Sequence, residues 1–98
     1  MNLYDYTPAL PGTERTDILH EDTAVRIERI VSNLARTQWY DQAQDEWLAL
    51  IKGSAELEVE RTRVTLEEGD TLFLPAHCRH RVLSTSDETL WLTVFVKV

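Results

Sequence analysis

The chain has 98 residues, 43% of them hydrophobic, enough for one domain with a single core and too few for two. Its formal net charge of -7 argues against nucleic acid and anionic membranes as partners, because both would repel it. The lone cysteine, Cys78, has no partner for an internal disulfide, and the apolar run Trp47 to Ile51 is far too short to span a bilayer. With no basic and apolar leader pattern at the N-terminus, the expectation is a cytoplasmic protein.

Residues 1–12 carry Pro8, Pro11 and Gly12 and read as an arm without regular structure. Its Leu3, Tyr4, Tyr6 and Leu10 predict that the arm packs on the domain or on a neighbouring subunit. From Thr13 onward the hydrophobic pattern has period two. "RTDILH" and "AVRIERIV" flank the turn "EDT" and predict a hairpin. The stretch "SNLARTQWYDQAQ" has weak periodicity and reads as a loop leading into the strand "DEWLALI". In "AELEVE", Ala55, Leu57 and Val59 alternate with Glu56, Glu58 and Glu60, predicting one core face and one solvated face. "RVTL", "TLFLP", "HRVLS" and "TLWLTVFVKV" follow, separated by turn residues.

Short strands at regular spacing predict an all-β fold, an antiparallel sandwich or barrel over residues 13–98. The last strand is apolar on both faces: Leu90, Leu92, Val94 and Val96 on one, Trp91 and Phe95 on the other. Such a strand needs a second layer outside it. Together with the aromatic arm, this predicts a homodimer.

Two spaced sets of residues carry a resemblance. Glu46 is followed by six residues and then Gly53. Gly69 is followed by five residues and Pro75, then Ala76, His77, two residues and His80, with Ser84 four places on. In this order and separation they resemble the two motifs of the cupin superfamily, and "WYDQ", "DEW" and "PAH..HRV" resemble small stand-alone members. The resemblance covers roughly the last sixty residues. It implies a jelly-roll barrel, the double-stranded β-helix, with a site inside it. The family's metal ligands are two histidines and a glutamate in the first motif and a histidine in the second. Here the first-motif histidine positions hold Tyr40 and Gln42, so only Glu46 and His80 of that set remain. His77 stands at the family's turn glycine.

On a continuous strand Tyr40, Gln42, Gln44, Glu46, Leu48 and Leu50 would share the inner face. Glu46 would then be a carboxylate in an apolar cavity, needing a cation, a hydrogen bond or a proton. The expected ligand pocket is Trp39, Tyr40, Gln42, Glu46 and His80, holding a small molecule. One reading fills it with zinc, iron, manganese or nickel, held by Glu46 and His80 with Gln42 and His77 as further donors, in a dioxygenase, isomerase or lyase. Another makes it a binding or sensing module without metal, where Glu46 and His80 form a hydrogen-bonded pair that lowers the glutamate pKa and raises that of the histidine. No catalytic residue is assigned. His20 reads as a surface residue, Cys78 as a small buried side chain, and Trp47 as facing outward.

Overall fold

The computed structural model describes residues 1–97 as eight strands and no helix. These are β1 (Thr13–Glu21), β2 (Val25–Asn33), β3 (Asp45–Lys52), β4 (Ala55–Val59), β5 (Thr62–Leu66), β6 (Thr71–Leu74), β7 (His80–Thr85) and β8 (Thr89–Val96). Every strand anticipated from the period-two pattern is present; Val98, expected at the end of the last one, lies outside the described residues. The strands form an antiparallel jelly-roll of two sheets, β1-β2-β8-β3-β6 and β5-β4-β7. Leu48, Leu50, Leu57, Leu66, Leu74 and Trp91 fill the space between them.

The two faces of the large sheet explain the doubly apolar last strand. Inward, the register sets Arg26, Phe95 and Glu46 side by side, then Glu28, Thr93 and Leu48, then Ile30, Trp91 and Leu50. Outward, Leu90 is fully buried with Val31 and Ala9, and Leu3, Tyr6 and Ile51 pack against them. The arm is therefore the second layer over part of β8, and it lies on its own barrel. Arg29, only 8% exposed, fixes it: Nη1 donates to the carbonyls of Leu3 and Asp5 at 3.3 and 3.1 Å, and Nη2 to Asp17 at 2.9 Å. Two of the expected arm contacts are absent, since Tyr4 and Leu10 face solvent and the small Ala9 is buried instead.

The arm leaves the other half of the outer face uncovered. There Ile27, Val94, Trp47 and Phe73 lie in one cross-strand row, with Trp47 and Phe73 exposed as the parity of Trp47 predicts.

The two sheets are seamed along one side by the segment between β2 and β3. Leu34 N donates to Ser86 O at 3.0 Å, Thr37 N to Val82 O at 3.0 Å and Tyr40 N to His80 O at 2.7 Å. This segment is the expected loop, but it follows β7 closely enough that Tyr40 and His80 form a β-bridge.

Candidate functional site

Between the sheets is a cavity of about 260 Å³, slightly below the roughly 300–1,000 Å³ typical of drug-sized ligands. β3 contributes Glu46 because inward positions alternate from Leu50 through Leu48. β7 contributes His80 because its backbone is held on one side by Val59 and on the other by Tyr40. The seam contributes Thr37, Tyr40 and Gln42.

Glu46 is 6% exposed, and Gln42 Nε2 donates to its Oε1 at 2.9 Å. The His80 Nε2 is 3.7 Å from the same oxygen, too long for a hydrogen bond. Burial pushes the Glu46 carboxyl above the usual carboxylate range; the Gln42 hydrogen bond and the His80 charge oppose this without cancelling it. The expected lowering of Glu46 by a His80 hydrogen bond is thus corrected: the glutamine supplies the hydrogen bond and desolvation dominates. His80, 6% exposed, lies 2.9 Å through Nδ1 from the Cys78 carbonyl. A carbonyl only accepts, so Nδ1 carries a proton, and Nε2 is the ring nitrogen on the side of Glu46.

Three further expectations change. Trp39 lies outside the pocket lining, with the Arg79 and Arg81 guanidinium carbons 4.7 and 4.5 Å from its ring centroid. There it anchors the seam beside β7, since Arg81 Nη2 also reaches Glu58 at 2.7 Å. His77 faces solvent, as a positive φ of 62° at the turn position directs it, and its Nδ1 meets Asp41 Oδ1 at 2.8 Å. It brings no donor to the cavity. Gln44 is not part of the lining either, because the strand begins only at Asp45. Tyr40 and Gln42 do line the cavity, and the Tyr40 and His80 rings are 5.6 Å apart.

Cys78 is half-buried against the core, and burial pushes its thiol up, with Glu60 adding to the effect. A thiol shifted this way is a poor nucleophile. His20 is a surface residue, 2.8 Å from Asp22.

The remaining lining went unassigned in the sequence. Glu14 and Thr16 of β1 form the rim; Arg26 and Glu28 of β2 and Thr93 of β8 lie within. Arg26 and Glu28 share the inward parity of Ile30, and Thr93 stands between the inward Trp91 and Phe95. That polar interruption of an apolar face was the available signal. Behind the wall, Trp91 Nε1 donates to Ser32 Oγ at 3.0 Å, and Ser32 Oγ donates to Glu14 Oε2 at 2.5 Å.

As a metal centre this donor set falls short. Glu46 and His80 are the two strong donors, the Gln42 amide is a weak one, and its Nε2 faces Glu46. Among the described residues no three His, Cys, Asp or Glu side chains are grouped to hold an ion. Transition-metal sites take three or four such ligands, so these residues do not fit one.

The profile of the cupin domain matches residues 35–96. A protein of Ralstonia eutropha JMP134 named provisionally as a mannose-6-phosphate isomerase is 38% identical, with a TM-score of 0.91 over 100% of this chain and 97% of that one. A cupin superfamily protein of Desulfitobacterium hafniense DCB-2 shares 16% identity and a TM-score of 0.84, covering 94% and 84% of the two chains. KdgF of a Halomonas species shares 18% identity and a TM-score of 0.81, covering 97% and 89%. No curated protein matches the chain.

Proposed function

Since the chain belongs to the cupin family, we propose that its barrel binds one small polar molecule against Glu46, Gln42 and His80. One observation carries this: Glu46 is a buried carboxylate opening onto a cavity, with Gln42 as its side-chain hydrogen-bond partner among the described residues. A buried carboxylate costs stability unless hydrogen bonds or charges compensate it. A ligand donor adds to that compensation, and the His80 Nε2 is a second polar atom beside it.

The test is thermal stabilisation of the full chain against a panel of small metabolites, with Glu46→Gln as control. A ligand that stabilises the native protein and not the variant supports the reading. Stabilisation equal in both places the ligand elsewhere.

A second reading is an acid–base enzyme, such as an isomerase or lyase, favoured by the 3.7 Å approach of Glu46 and His80. A carboxyl held above its usual range beside an imidazole nitrogen can exchange a proton with a substrate lying against both. Elemental analysis of tag-free protein checks the misfit with a metal: no stoichiometric zinc, iron, manganese or nickel is expected, and metal that is lost on Glu46→Gln would overturn it. The name of the Ralstonia relative makes a phosphorylated sugar one candidate ligand, although here Arg26 is the cavity's lone guanidinium.

We further infer a homodimer joined across the uncovered outer row of Ile27, Val94, Trp47 and Phe73. Its support is the exposure of Phe73 at 55% and Trp47 at 38% on a flat sheet face. Sedimentation of the native chain and Trp47→Lys tests it, monomer in both opposing the inference. No helix among the described residues is long and apolar enough to cross a membrane. The free thiol of Cys78 fits a cytoplasmic location.

A further inference from the structure

We propose that the cavity selects an organic cation, a small molecule carrying a protonated amine on an apolar or hydroxylated body. The inference rests on the cavity being a ligand site and adds the charge of what it takes.

Among the described residues three carboxylates border the cavity, Glu14 at the rim and Glu28 and Glu46 inside, against the guanidinium of Arg26 and the imidazole of His80. That guanidinium is already engaged. Its Nε lies 2.7 Å from Glu28 Oε2, and its carbon stands 4.6 Å from the Phe95 ring centroid. The Nε contact is close in distance yet misaligned for a hydrogen bond, so it is a charge contact. An anionic ligand would compete with Glu28 for this one cation while resting against carboxylates in a desolvated space.

An independent observation comes from Thr93. Its side chain belongs to the cavity lining, is only 1% exposed, and its Oγ1 has no hydrogen-bond partner among the described residues. Buried hydroxyls are nearly always paired, so an orphan on a cavity-lining side chain is a candidate partner for a ligand donor. The register places it between charges: Thr93 stands directly opposite Glu28, and the next inward position, Phe95, stands opposite Glu46. Directly opposed side chains are about 5 Å apart and diagonal ones about 7–8 Å. An ammonium has three donors and no acceptor, matching a lining whose acceptors here are the carboxylates of Glu28 and Glu46 and the hydroxyl of Thr93. Leu48, Leu57, Val82 and Trp91 supply apolar walls for the body that carries it.

Cyclohexylamine, cyclohexanol and cyclohexanecarboxylate share one ring and differ in charge. Isothermal titration of each into the full chain at neutral pH and low salt is the test. The expected result is binding by the amine, weaker binding by the alcohol and none by the carboxylate. Glu28→Gln and the isosteric Thr93→Val should each lower amine affinity on the order of tenfold. Binding of the carboxylate or the alcohol in preference to the amine overturns the charge inference and leaves the ligand-site reading standing. Failure of all three probes up to millimolar concentration overturns both. Amine binding unchanged in both variants places the cation outside this cavity and overturns the inference as well.

Discussion

Gln42 Nε2, not His80, makes the hydrogen bond to Glu46 Oε1, at 2.9 Å against 3.7 Å for the imidazole. Where the family's first motif has a histidine, an amide here orients a buried carboxylate, and the imidazole acts on it through charge alone.

His80→Ala removes the nearby group whose charge pulls the Glu46 carboxyl down, so that carboxyl should rise further. It also empties a buried site on β7. The expected cost is about 1–3 kcal/mol in urea denaturation at neutral pH, together with lost ligand binding. His77→Ala, at an exposed position outside the lining, should change neither by much. Full stability and binding in His80→Ala would refute the assignment.

The raised Glu46 carboxyl has a definite pH signature. The folded state keeps a proton that the unfolded chain has released above the ordinary value of 4.5. Stability should therefore fall as pH rises from there through the folded-state pKa, since the folded form binds more protons across that window. Glu46→Gln removes this slope, so the variant should gain on the wild type as pH rises above 4.5. Parallel stability curves for the two proteins would contradict burial as the dominant cause.

Gly53, in the turn after β3, has φ +92°, and a Cβ there would meet Ser86 Oγ at 2.5 Å and the Glu88 carbonyl oxygen at 2.8 Å. Gly53→Ala should cost on the order of 1–3 kcal/mol, because both the backbone conformation and the space resist it. Adding Ser86→Ala relieves the hydroxyl contact only, so stability should recover in part. Full recovery would show that the backbone contributes nothing.

Arg29→Met should free the arm while keeping an apolar stem over the sheet. Limited proteolysis would then cut within residues 1–12 at concentrations of protease that spare the wild type, and denaturation should show a loss of roughly 1–3 kcal/mol. Equal protection of the arm in both proteins would assign its docking to Leu3, Tyr6 and Ala9 alone.

The strands were legible because period two survives within each of them, and Glu46 and His80 were legible because motif spacing fixes both. The seam was legible only in part. Motif spacing set Tyr40 and Gln42 inward, but between Ala35 and Gln44 no alternation exists to show that Trp39 turns out to Arg79 and Arg81. Arg26, Glu28 and Thr93 escaped for a different reason. Charged and hydroxyl side chains on an inward face look like errors of pattern until the cavity that accepts them is seen. His77 was ambiguous in one dimension, and the sign of a single φ decided it.

β8 is the middle strand of the five-stranded sheet and the last of the eight in chain order, joining β2 to β3. On a ribosome, those two strands emerge with nothing to hold them together until Thr89 and its successors follow. Until then a nascent chain presents two open edges, one bearing Ile27 and the other Trp47, both ready to pair with a stranger. Assembly of this barrel therefore waits on its final strand, and a message truncated before codon 89 should yield aggregate rather than a smaller domain.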